Sequence, residues 1–240
     1  MSRPLAVFDV DGTLVDSRQA IYDTMIEAFA RMGLTAPPYD HARKVVGLNL
    51  AQALSDLAPD LDAAGREVLV ANYRSVFQEM HAVPGYMEPL YDGAAELLTR
   101  LRAEGWLVAM ATGKSRRGVD TIVRMHGWAD LFHSTHCADD GPGKPDPAML
   151  VEAMRVLGAE RSHTIMIGDT AHDIHMALAA GVHAQGVAWG FHTSEEIAAA
   201  GAHAVSESFA DLGAALDRFG AAVGPFTPPS KPQGASGSRR

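Results

Sequence analysis

Two aspartates, Asp9 and Asp11, end a short apolar run, Leu5-Ala6-Val7-Phe8-Asp9-Val10-Asp11-Gly12-Thr13. The run reads as a buried strand, and unpaired charge at a buried tip is costly. A bound cation removes that cost, and chemistry gives a reason to keep the arrangement. If the strand runs on, residues two apart face the same way and both carboxylates address one site. If a turn begins at Asp11, its carbonyl can face the site while its side chain swings over the reacting group. Gly12 permits such a turn. In either case a divalent metal would keep one carboxylate ionised while the other holds a proton. That split suits nucleophilic and acid–base work.

Three further runs carry chemistry. Leu107-Val108-Ala109-Met110-Ala111-Thr112-Gly113-Lys114 ends an apolar stretch in a hydroxyl and a glycine. Thr112 can hydrogen-bond an anionic oxygen, and Gly113 lets backbone N–H groups approach it. The residues that follow, Ser115 to His126, read as a helix whose N-terminus favours anions. Gly143-Lys144-Pro145-Asp146-Pro147 puts a compact cation before a proline-marked helix start. Thr164-Ile165-Met166-Ile167-Gly168-Asp169-Thr170 ends a strand in Gly-Asp, with Asp173 following within helical reach.

These four runs, in this order, resemble the motifs of the haloacid dehalogenase superfamily, in its phosphatase branch. The likeness covers about residues 5 to 220 and is nearest to phosphoglycolate phosphatase-type members. It implies that Asp9 is the nucleophile and Asp11 the general acid and base. It implies that Thr112, Gly113 and Lys144 hold the phosphoryl group. Mg²⁺ would be bound by Asp9, the Asp11 carbonyl and Asp169, with Asp173 behind them or reaching the metal through water. The residue types suit that chemistry. A carboxylate can attack phosphorus and split one hard step into two. Phosphoryl transfer is mainly positioning and charge neutralisation, and Mg²⁺ takes oxygen ligands and leaves room for phosphate.

Positioning these residues requires an α/β chain. Strands over 107–112, 164–168 and 184–188 alternate with helices over 115–126, 147–157 and 171–180, which predicts a Rossmann-like, doubly wound parallel sheet. The acids then lie at strand C-terminal ends, where ligands bind in such sheets. Between the first two motifs, Ile21, Met25, Ala28 and Met32 recur at helical spacing, as do Val68, Tyr73, Val76 and Met80. This predicts an inserted α-helical cap over 16–84, with the core over 1–15 and 85–222. A helix is expected over 89–104, with Leu97, Leu98 and Leu101 on one face. The Pro- and Gly-rich residues 223–240 read as a disordered tail, where Pro228-Pro229 could form polyproline II.

Composition bounds the rest. The chain has 240 residues, 47% apolar, with a net charge of −9 that argues against a nucleic-acid surface. Its lone cysteine, Cys137, allows no internal disulfide, and no apolar run approaches the about 20 residues needed to span a bilayer. The expectation is a cytoplasmic monomer or homodimer acting on a small phosphorylated metabolite.

Several features have bland readings. His133 and His136, and His172 and His175, are spaced as zinc ligands can be, but polar surface is the better account. Met80, Met87, Met110, Met125, Met149, Met154 and Met176 read as core. Thr112 alone could be a helix cap, and Lys114 could point outward. In the cap, Arg43, Lys44 and Asn49 are candidate specificity residues. Phosphoglycolate is the inferred substrate type, with pyrophosphate, sugar phosphates and nucleotides as alternatives. A dehalogenase would not need Asp11. A phosphomutase or a non-catalytic phospho-ligand binder stays open.

Overall fold

Leu5–Phe8 form β1, buried on both faces. That requires a central strand, and β1 lies at the middle of a six-stranded, wholly parallel sheet. The computed structural model describes residues 3–224. Chain order gives β1, then cap helices α1 (Arg18–Ala30), α2 (Tyr39–Ala42), α3 (Leu50–Leu57) and α4 (Ala63–His81). The core resumes with α5 (Ala94–Ala103), β2 (Leu107–Ala111), α6 (Arg116–Met125), β3 (Ser134–His136), α7 (Ala148–Leu157) and β4 (Thr164–Gly168). It ends with α8 (Ala171–Ala180), β5 (His183–Val187), α9 (Ser194–Ala199), β6 (Ala204–Ser206) and α10 (Phe209–Val223).

The strand order is β3-β2-β1-β4-β5-β6. The chain therefore winds outward from β1 through β2 and β3, then crosses to β4 on the other side. Ligands bind at the strand C-termini beside such a reversal. Alternation along β1 divides the core. Ala6 and Phe8 join Leu98, Ile122 and Leu216 on one face of the sheet, whereas Leu5 and Val7 join Leu150, Ile174 and Ala177 on the other.

The cap has its own apolar centre, where Ile21, Met25, Phe29, Leu54 and Leu69 surround Phe191 from the core. The chain leaves and re-enters the core at one place. The Asp16 N–H donates to the Pro89 carbonyl at 2.8 Å, Tyr91 N–H donates to the Leu14 carbonyl at 3.1 Å, and Val15 bridges Leu90.

Some expectations are corrected. The helix expected from 89 starts at Ala94, because Leu90 is engaged by Val15 and Gly93 has a left-handed φ of 94°. On α4 the buried residues are Leu69 and Val76, while Val68 is half exposed and faces outward. Met32 falls beyond α1, and Met87 is exposed rather than core. Strands β3 and β6 and helices α9 and α10 were not expected; both strands have only three residues, too few for a periodic signal. Helix α10 runs through Val223, and the tail from Pro225 onward lies outside the described residues.

Candidate active site

Asp9 is the first residue past β1, held by its N–H to the Ile167 carbonyl at 2.9 Å. A tight coil follows, in which the N–H groups of Thr13, Leu14 and Val15 all point to the Val10 carbonyl. Of the two local geometries open to Asp9 and Asp11, the coil selects the turn. The two carboxylates then meet different cations. Asp9 Oδ1 lies 2.8 Å from Lys144 Nζ, and Asp11 Oδ1 lies 2.8 Å from Lys114 Nζ.

Asp169 follows β4 beside Asp9, and Asp173 lies in the first turn of α8. One oxygen each of Asp9, Asp169 and Asp173 fall within 4.8 Å of one another, all buried. The Asp169 carboxylate accepts from Thr13 Oγ1 and from Phe191 N–H, both at 2.8 Å. A Cβ on Gly12 or on Gly190 would stand 2.2 Å from its Oδ2, so the two glycines let the backbone close around it. Gly12 also has a φ of 78°, which a side chain would strain. Asp173 is filled from within the protein. Its Oδ2 accepts from Thr170 N–H and Oγ1, and its Oδ1 meets Lys144 Nζ at 2.6 Å.

Three buried carboxylates thus face one ammonium. Burial pushes the Asp9 carboxyl up to about 7, with Asp173 and Asp11 adding repulsion against the pull of Lys144. Burial, then Asp9 and Asp173, hold Asp169 well above the usual carboxylate range. Burial works against the charged form of Lys144, but Asp173 and Asp9 outweigh it and raise its proton affinity. The excess negative charge and the all-oxygen donor set fit a hard divalent cation.

The other half of the site is built around Lys114, which is buried rather than outward-pointing. Besides Asp11 it approaches Glu88 Oε2 at 3.6 Å, and Glu88 Oε1 lies 3.0 Å from His81 Nε2 at the end of α4. Burial again opposes the charge on Lys114, and Asp11 and Glu88 overcome it. Thr112 is buried at the end of β2, its N–H donating to the His136 carbonyl and its Oγ1 accepting from the Lys114 N–H. Gly113 has a further reason to lack a side chain. A Cβ there would stand 2.8 Å from the carbonyl oxygens of Gly47 and Leu48, where the cap loop touches the core.

Of the cap candidates, Arg43 is engaged as a strut, with Glu196 at 2.7 Å and the Phe191 carbonyl at 3.0 Å. Asn49 caps α3 through Gln52 N–H, and Lys44 is exposed, its carbonyl 2.9 Å from His172 Nε2. The histidine pairs do not converge. Among the described residues, the metal-capable group is the aspartate trio alone. Thr13, Glu88, His81, Gly190 and Phe191 escaped the sequence reading. Thr13 sits inside the first motif, but Glu88 belongs to no periodic run, His81 ends one without being part of its apolar stripe, and the two meet only through the fold.

A family model described as haloacid dehalogenase-like hydrolase matches residues 6–187. The chain belongs to this family, and it is a phosphatase-type hydrolase within it. It is 34% identical over 214 residues to a protein described as probable phosphatase IndB from Dickeya dadantii, covering 88% of this chain and 92% of that one. It is 31% identical over 221 residues to a phosphoglycolate phosphatase from Vibrio parahaemolyticus, covering 87% and 93%. A crystal structure of a haloacid dehalogenase-like hydrolase from Bacteroides fragilis superposes with a TM-score of 0.79 at 27% identity, over 88% of this chain and 99% of that one.

Proposed function

We propose that this protein is a Mg²⁺-dependent phosphomonoesterase that works through an aspartyl-phosphate on Asp9. The observation that carries the reading is that one carboxylate oxygen each of Asp9, Asp169 and Asp173 lie within 4.8 Å of one another, with Lys144 Nζ 2.8 Å from Asp9 and 2.6 Å from Asp173. Asp9 is the nucleophile: its oxygen forms the new bond to phosphorus as the bond to the leaving oxygen breaks. Asp11, held by Lys114, gives its proton to that leaving oxygen. It then takes a proton from the water that attacks the phosphorus of the acylphosphate, which frees phosphate and restores Asp9. Thr112, the Gly113 backbone and Lys144 bind the phosphoryl oxygens. A magnesium ion held by Asp9, the Asp11 carbonyl and Asp169 would neutralise charge as the phosphoryl group meets these acids. Asp173 positions Lys144 against Asp9.

Phosphoglycolate is the first substrate to test, given the name of the Vibrio relative. Phosphate release should require Mg²⁺ and stop with EDTA. Label from a ³²P-phosphomonoester should attach to the wild-type protein in a hydroxylamine-labile form and should not attach to Asp9→Asn. Full turnover after chelation, or labelling of Asp9→Asn, would overturn the reading.

A further inference from the structure

The cavity between cap and core is about 660 Å³ and reaches Asp9 and Asp11 at its floor. That lies within the roughly 300–1,000 Å³ typical of sites for drug-sized ligands. A phosphorylated two-carbon acid would occupy only its floor. The wall above is apolar and aromatic. Leu50 and Leu54 of α3 line it, together with Tyr73 and Phe77 on α4. The Tyr73 and Phe77 rings lie one helical turn apart and nearly parallel, 11° between planes, and the Phe77 ring sits 5.4 Å from Lys114 Nζ. An aromatic patch thus adjoins the residue that holds Asp11, with the His81 ring packed 4.0 Å from that of Phe77.

The mouth is different. Arg74 from the cap, and Arg117 and Arg124 from α6, line it. Arg117 and Arg124 are seven residues apart, so they share a helix face. All three are exposed. Arg18, Arg31, Arg43, Arg100, Arg116 and Arg155 each hold a carboxylate. Among the described residues, none of the three at the mouth has an acidic partner. The acid at that rim, Asp139, accepts instead from the Arg116 backbone N–H at 2.7 Å. In a chain of net charge −9, three guanidiniums without acidic partners around one opening form a local anion field.

We propose that the site selects phosphomonoesters whose leaving group carries an aromatic or extended apolar body and ends in a second anionic group. The phosphate would lie at Asp9, the body against Tyr73 and Phe77, and the far anion among Arg74, Arg117 and Arg124. This proposal rests on the phosphatase reading and names its substrate class.

The test compares three esters of primary alcohols, so that intrinsic leaving-group chemistry is similar: phosphoglycolate, benzyl phosphate and 4-(phosphonooxymethyl)benzoate. Acetyl phosphate serves as a small control. The expected order of kcat/KM is the carboxybenzyl ester, then benzyl phosphate, then phosphoglycolate. The carboxylate should add about tenfold, the scale of one charge-assisted hydrogen bond. The double variant Arg117→Glu/Arg124→Glu should bring the ratio of the two benzyl esters down to about one or below. Phe77→Ala should lower both benzyl esters relative to phosphoglycolate. If phosphoglycolate equals or exceeds them, or the arginine variant leaves the ratio unmoved, the proposal is overturned while the phosphatase reading stands. If acetyl phosphate and all three esters resist hydrolysis with Mg²⁺, the phosphatase reading falls and this proposal with it.

Discussion

Lys144 and Lys114 each hold one member of the Asp9–Asp11 pair, but from unlike halves of the site. Lys144 reaches Asp9 and Asp173, with Asp169 close by, and the whole group comes from the core: Asp9 and Asp169 just past strand ends, Asp173 on the first turn of α8, and Lys144 from the loop between β3 and α7. Three acids outnumber one ammonium, so this half is electrostatically incomplete. Lys114 faces Asp11 and Glu88, and Glu88 is met in turn by His81 from the cap. Here each charge finds partners within the protein, and the last one arrives only when the cap helix is in place. One half is left short of positive charge. The other needs the cap.

The largest effect should come from breaking the first half at its centre. Asp9→Asn should cut phosphate release by roughly 10⁵–10⁶, the scale seen when a nucleophile is removed. Its melting temperature should hold or rise, since one of three crowded carboxylates loses its charge. A variant that unfolds would undercut the view that this half is overloaded with charge.

Next comes Glu88→Ala, which strips the second half of its central acid. Breaking a buried pair from one side costs about 3–5 kcal/mol, and denaturant unfolding should record a loss of that order. A loss below about 1 kcal/mol would mean that Glu88 is not what balances Lys114.

Cation binding should sharpen the contrast. Asp9 titrates near 7 in the folded chain against a usual 3.8, so the folded state holds a proton that the unfolded state has lost across that interval. This group's contribution to metal-free stability therefore falls as pH rises from about 4 through about 7, and is level above. Mg²⁺ competes with that proton. Its stabilisation should be larger at pH 8 than at pH 5.5, reaching about 2.7 kcal/mol at a hundred times its Kd. Thermal melts with Mg²⁺ and with EDTA at the two pH values decide this, and equal shifts at both would refute it.

Gly113→Ala tests the seam between the halves. Its Cβ would meet two cap carbonyls, so the cap loop must move. A displacement of about 1 Å near the chemistry can cost up to 10²-fold, and kcat/KM should fall by about 10–100-fold with little change in unfolding. The smallest effect belongs to Arg43→Ala. Its partner Glu196 is partly solvated, and the loss of stability should be about 1 kcal/mol or less.

Much of the first half could be read from the chain alone, because Asp9 and Asp169 each stand directly after an apolar strand that fixes where they point, and Asp173 follows one helical turn beyond Asp169. Asp9, Thr112, Lys144, Asp169 and Asp173 all come to one end of the sheet. The second half was opaque. Glu88 lies just outside the helix that returns the chain to the core, and nothing local distinguishes it from a solvated acid. His81 ends a cap helix whose buried stripe runs through Leu69 rather than Val68, because the two are equally apolar and only packing chooses between them. Lys114 follows a glycine at a helix start, where a lysine can equally face solvent, and only Asp11 and Glu88 in the folded chain draw it inside. The short strands β3 and β6 show the same limit: three residues carry too little pattern to be read without their neighbours.

The place where the chain departs for the cap and comes back has one more consequence. Asp16 and Pro89 are hydrogen-bonded neighbours, so the chain enters and leaves the cap at a single seam. The pairing of β1 with β2 and β4 lies wholly on one side of that seam. A different set of helices could be spliced in there without disturbing a single strand register. The sheet and the aspartate trio are thus self-contained, while the Lys114–Glu88–His81 chain is the part of the site that any replacement for the cap would have to rebuild.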